Sequence, residues 1–96
     1  MCKKQILLDK IRELMKEVDK AKNVVDESKI NYLITYQKYL EYLIYELEKG
    51  TLPASNGGLL GTGRGISEYD SLASIKSLYD AAYNVEVYYS EECKEW

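Results

Sequence analysis

Histidine and phenylalanine are both missing from this 96-residue sequence, and proline occurs once. Without histidine the chain lacks the side chain that most often serves as general base near neutral pH, and the commonest metal ligand. Cysteine is scarce. Cys2 and Cys93 stand at opposite ends, without the close spacing of a zinc site. One disulfide between them would close the whole chain, but two isolated cysteines in a lysine-rich chain are expected to stay reduced. No metal and no cofactor are expected. No apolar run approaches the ~20 residues of a membrane span. Ile6-Leu7-Leu8 meets Asp9 too soon for a signal peptide. The cytoplasm is therefore the expected location, and no membrane partner is expected. A chain this short buries a modest core. With metals and disulfides set aside, association is the remaining source of extra stability.

Positive charge is also in short supply where it would matter. The net charge is −3, with eight Lys/Arg against six Asp/Glu in residues 1–29 but two against seven in residues 66–96. No face is basic enough to make duplex nucleic acid the main partner. Small anionic ligands and basic protein surfaces stay open. The acidic C-terminal third is read as a solvated helix end in preference to a nucleic-acid mimic.

Tyrosine, in contrast, is abundant, with ten copies. Each ring carries a hydroxyl that needs a partner or water. A closed core would include some phenylalanine, so the rings are expected to be half exposed, stacked, or packed at a subunit interface. Codon bias is the bland alternative.

Leu7, Ile11, Leu14, Val18, Ala21 and Val25 recur at alternating spacings of 4 and 3, with Leu8 and Met15 beside them. This pattern predicts a helix over about 3–23. Ile30, Leu33, Leu40, Ile44 and Leu47 form a second stripe, with Gln37 at a seam position and out of phase with the first. A hairpin turning near Asn23–Ser28 follows, with Asn23 in the left-handed region and Asp26 or Ser28 as cap. A kinked continuous helix is the alternative. The second helix spans about 27–49, where Lys49, Gly50 and Pro53 mark its end. A Gly-rich loop covers 50–66. A third helix is expected over about 67–90, opened by Ser67 and Asp70 and carried by Leu72, Ile75, Leu78, Ala82, Val85 and Tyr89, with a tail at 91–96. The fold class is all-α, as one domain of three helices: a hairpin, a Gly-rich crossover and a third helix. Tyr32, Tyr36, Tyr39 and Leu43 form a further stripe on the second helix, with Tyr42 and Tyr45 beside it. Three helices cannot cover so much apolar surface, so this stripe is expected to be an interface and the protein a homo-oligomer.

Five of the six glycines fall within residues 57–70. Glycine lets a backbone approach a ligand closely, and this loop runs into a helix start, where amides favour an anion. Gly61, Thr62, Gly63, Arg64, Gly65, Ser67 and Tyr69 are the candidate ligand-binding residues. The amides and Arg64 would hold a phosphate or carboxylate, and Tyr69 would stack on a base. Gly58-x4-Gly63-Arg64-Gly65 lacks the Lys and Ser/Thr of a P-loop, and no strand precedes it. A linker docked by Leu52, Leu59, Leu60 and Ile66 is the competing reading. No catalytic residue is assigned. Asp9, Glu13 and Glu17 share a helix face but are interleaved with Lys10, Lys16 and Lys20, and so read as ion pairs rather than a cation site.

Arg64-Gly65-Ile66-Ser67-Glu68-Tyr69-Asp70 and the ending Tyr88-Tyr89-Ser90-Glu91-Glu92-Cys93-Lys94-Glu95-Trp96 resemble small uncharacterised proteins of phages and prophages in low-GC bacteria. The resemblance is confined to the C-terminal third. It implies an accessory or anti-defence factor acting in a bacterial host cell. Among such factors, the cyclic-nucleotide sponges are similar in size and helicity. The expected function is thus non-enzymatic sequestration of a small anionic, nucleotide-type ligand. The alternative is an inhibitor docking on a larger host protein through the Tyr-rich second helix or the acidic third one.

Overall fold

Residues 2–96 are described by the computed structural model, and Met1 lies outside them. The first apolar stripe forms α1, Lys3–Ala21, and Leu7, Leu8, Ile11, Leu14, Val18 and Ala21 are buried along it. The helix stops at Ala21. Val25, the last member of the stripe, lies beyond the helix and is half-buried. The turn that follows does not use Asn23 in the left-handed region. Asn56 is the one non-glycine residue with positive φ among those described. The turn is closed by main-chain bonds from Asn23 N–H to Lys20 O and from Val24 N–H to Ala21 O. Asp26 then caps α2, its carboxylate accepting from the Lys29 amide at 3.1 Å and the Ser28 hydroxyl at 2.8 Å. Those bonds, the Ser28 one foremost, hold the Asp26 carboxyl below its usual range.

α2 spans Glu27–Lys49 and ends on Gly50 at φ 78°, a conformation glycine adopts without strain. It runs antiparallel to α1. Arg12 pairs with Glu48 at 3.4 Å near one end, and Gln37 donates to Asp19 at 3.2 Å and accepts from Lys22 near the other. Gln37, polar within the second stripe, therefore has two partners across the hairpin.

The remainder is three helices instead of one: α3 Thr62–Ser67, α4 Asp70–Ala73 and α5 Lys76–Glu92. Neither break contains glycine or proline. Tyr69 and Ile75 simply adopt extended backbone, at ψ 126° and 94°. Helical geometry supplies the reason. On one continuous helix, Ile66 and Leu72 would point about 110–130° to either side of the Leu78–Val85 stripe. All four are fully buried, which the two breaks allow. α5 packs along α1, and α3 lies across α5. Among the described residues the chain is all-helical, without strands, and its radius of gyration of 13.0 Å is that of a compact chain of this length.

Candidate functional site

The Gly-rich segment is an ordered part of the fold, held from three sides. Its first half is fastened to the C-terminal end of α5. The Ser55 amide donates to Cys93 O at 2.8 Å, Tyr89 Oη to Pro53 O at 2.8 Å, and Trp96 Nε1 to Leu52 O at 2.9 Å. Its second half meets α2. Tyr32 Oη donates to Gly65 O at 2.6 Å, Tyr36 Oη to Thr62 O at 2.7 Å and Tyr39 Oη to Leu60 O at 2.7 Å. Spacings of 4 and 3 put the three phenols on one helix face, one above another, matched to a row of carbonyls. Phenylalanine supplies no hydroxyl and would leave those carbonyls without these bonds.

The third side is α5, and here an internal carboxylate occupies the expected anion position. Glu86 is 5% exposed. Its carboxylate accepts from the Leu60 amide at 2.9 Å, from the Gly61 amide at 2.9 and 3.2 Å, and from Thr62 Oγ1 at 3.5 Å. Glu86 thereby satisfies the two loop amides that lead into α3 and sets a negative charge beside its start, where the helix dipole favours one. Gly61, at φ 88°, turns the chain from those two amides into α3. Sequence reasoning passed over Glu86. The signal was there: an acidic residue four after Ala82 and three before Tyr89, inside an otherwise apolar stripe.

The candidate ligand residues divide accordingly. Thr62 is buried and donates to Ala82 O at 3.1 Å. Gly63 is buried under the Tyr83 ring, where a Cβ would come within 2.6 Å of that ring. Gly65 lies against Tyr36, where a Cβ would come within 2.8 Å. These two glycines therefore serve close packing between helices. Ser67 accepts from Tyr83 Oη at 3.1 Å. The Arg64 side chain is exposed and enters no ion pair among the described residues. Tyr69 sets its ring edge-on to Tyr32 at 4.9 Å, with the Lys29 ammonium 4.7 Å from its centre. Arg64 and Tyr69 thus remain at the surface, whereas Gly61, Thr62, Gly63, Gly65 and Ser67 are engaged within the fold.

The stripe expected to meet a partner divides, with Tyr36 and Leu43 turned inward and Tyr39 still partly exposed. Tyr32 and Tyr39 reach the chain's own loop. Leu59 is 70% exposed, one residue before the carbonyl that Tyr39 holds. Tyr39 in turn stacks on Tyr42, 54% exposed, at 6.3 Å. Leu59, Tyr39 and Tyr42 are thus three exposed apolar side chains near the junction of α2 and the loop.

The carboxylates of α1 are engaged with neighbours, Glu13 with Lys16 at 3.8 Å and Glu17 with Lys20 at 3.3 Å. No group of three potential metal ligands occurs among the described residues. No helix of the described residues is long and apolar enough to cross a membrane. No protein-family model, curated protein or solved structure matches the chain.

Proposed function

We propose that this chain is a non-enzymatic binding protein that docks on a larger protein through Leu59, Tyr39 and Tyr42. One observation carries the reading: a leucine held 70% exposed on a loop that is otherwise tied down at both ends. Exposing an apolar side chain on a fastened loop gains the monomer nothing. Placed near two rings, it makes an anchor of the kind that dominates interfaces, since tyrosine is enriched at their energetic centres. Fastening by Tyr32, Tyr36, Tyr39 and Glu86 lowers the ordering cost of binding. A phage accessory or anti-defence role in a bacterial host cell accords with the resemblance of the C-terminal third. Self-association forms part of this reading.

A second reading keeps the small anionic ligand, shifted from the Gly61 amides to the surface. Lys29 over Tyr69, with the exposed Arg64 on neighbouring α3, supplies cations and a ring for a planar anion such as a nucleotide.

One experiment separates the two. The protein is isolated under native conditions from cells that express it naturally, and weighed by native mass spectrometry before and after denaturation. Docking predicts a stoichiometric protein partner that is lost from Leu59→Ser and Tyr42→Ala but retained by Arg64→Ala. A small anionic molecule released on denaturation, and absent from Arg64→Ala, would transfer the conclusion to the second reading. Recovery of the bare chain would remove both.

A further inference from the structure

The outer face of α2, opposite its buried stripe, has a pattern that neither the core nor the loop uses, although its last member, Glu48, also pairs with Arg12 of α1 at 3.4 Å. Asn31, Ile34, Lys38, Glu41, Tyr45 and Glu48 follow one another at spacings of 3, 4, 3, 4 and 3, and all are exposed. That is the spacing of a helix–helix seam. Two of the six are large apolar side chains, Ile34 at 40% and Tyr45 at 57% exposed. Lys38 and Glu41 enter no ion pair or side-chain hydrogen bond among the described residues.

The order of these residues is self-complementary. Reversed about the midpoint between Lys38 and Glu41, the stripe lays Ile34 on Tyr45, Lys38 on Glu41 and Asn31 on Glu48. An antiparallel pair of identical helices related by a two-fold axis imposes this reversal, because residue i of one copy meets residue j of the other and j meets i. The central layer then holds two ion pairs, flanked on each side by an aliphatic–aromatic contact and closed at each end by an amide–carboxylate contact. A parallel pairing would set Lys38 against Lys38 and Glu41 against Glu41, which like-charge repulsion disfavours.

We propose that the outer face of α2 binds a second copy of this chain as an antiparallel two-fold dimer, with Lys38 and Glu41 exchanging ion pairs across the axis. Leu59 lies on the loop, outside this stripe, although Tyr42 borders the stripe beside Lys38 and Tyr45; the contact rests on the charge order of α2 and stands whether or not the docking reading holds. The stripe from Asn31 to Glu48 is about 26 Å long. One helix face of that length buries less than a standard interface, so the dimer is expected to be weak and its population to depend on concentration.

Sedimentation velocity over a concentration series tests the contact, with circular dichroism as the check on folding. Wild-type protein is expected to shift from monomer to dimer mass as concentration rises, and to shift less in high salt. Lys38→Glu or Glu41→Lys alone sets like charges face to face twice per dimer and should weaken association at least about tenfold. Combining both in one chain restores opposite charges across the axis and should return the wild-type curve, as should mixing the two single variants. Leu59→Ser should leave the curve unchanged. A monomer at every concentration overturns the proposal. So does a dimer indifferent to either single reversal, or one that the double reversal fails to rescue.

Discussion

At the scale of single residues, Glu86 is the side chain on which the loop turns. A buried carboxylate is tolerated when donors satisfy it, and here the Leu60 and Gly61 amides do so. Glu86→Gln keeps the size but offers an NH2 group toward one of the amides, leaving donor facing donor. It is expected to cost about 1–3 kcal/mol in chemical denaturation. It should also raise amide exchange at Leu60 and Gly61 ahead of global unfolding. Unchanged stability and exchange would mean that Glu86 is incidental to α3. Arg64 is the contrasting residue, since its exposed side chain contributes nothing comparable to the fold.

At the scale of elements, α2 is two tools in one helix. Its core face, Leu33, Tyr36, Leu40, Leu43 and Leu47, packs the bundle. Its tyrosine row, Tyr32, Tyr36 and Tyr39, grips the loop through phenol protons. Burial pushes all three phenols up, most of all Tyr36, with Glu86 adding to the rise at Tyr36 and Tyr39 and Glu68 at Tyr32. The sign of the pH effect follows. An unfolded tyrosine loses its proton near its ordinary value of about 10, whereas the folded one retains it. The stabilisation is thus complete below pH ~10 and declines as pH climbs beyond it. Phenolate absorbance should accordingly lag behind that of a free tyrosine and then rise together with unfolding. Tyr36→Phe should lower stability at neutral pH by about 0.5–1.5 kcal/mol, through the lost bond to Thr62 O, and make the alkaline decline shallower. An alkaline slope equal to the wild-type one would remove Tyr36 from this account.

At the scale of the whole molecule, the start of α1 and the C-terminal Trp96 lie together. Lys4 rests its ammonium 5.1 Å from the Trp96 ring, and Trp96 in turn holds Leu52 O. The two cysteines report on this end of the bundle. Cys2 is exposed at the start of α1, where the Gln5 amide, and next the Lys4 amide, bring its thiol below the ordinary value. Cys93 is fully buried, and burial pushes its thiol up. Thiol labelling at neutral pH should therefore show one fast cysteine, Cys2, and one that reacts only as fast as the structure opens. Two equally fast thiols would show that the C-terminal end detaches on its own.

Much of this architecture is carried by local pattern. Alternating spacings of 4 and 3 place α1 and α2, Asp26 opens α2 and Gly50 closes it, because periodicity, capping and helix termination depend on neighbours within a few residues. The absence of His and the placing of the two cysteines are likewise plain in the sequence, and so is the density of tyrosine and glycine. What the tyrosines and glycines do is another matter. Their partners lie 16 to 36 residues away, as with Tyr83 on Ser67, Gly63 under Tyr83, Tyr36 on Thr62, Tyr32 on Gly65 and Tyr89 on Pro53. The same holds for Glu86, whose carboxylate meets the Leu60 and Gly61 amides only when α5 passes behind them. The division of the third helix follows from the same cause. No residue at Tyr69 or Ile75 forbids a helix, and only the joint burial of Ile66, Leu72 and Leu78 in one core makes the breaks worthwhile. Short-range pattern placed α1, α2 and the body of α5, whereas α3, inside the segment expected to be loop, formed only with its tertiary contacts. Long-range packing decided which of their faces remain available to a partner.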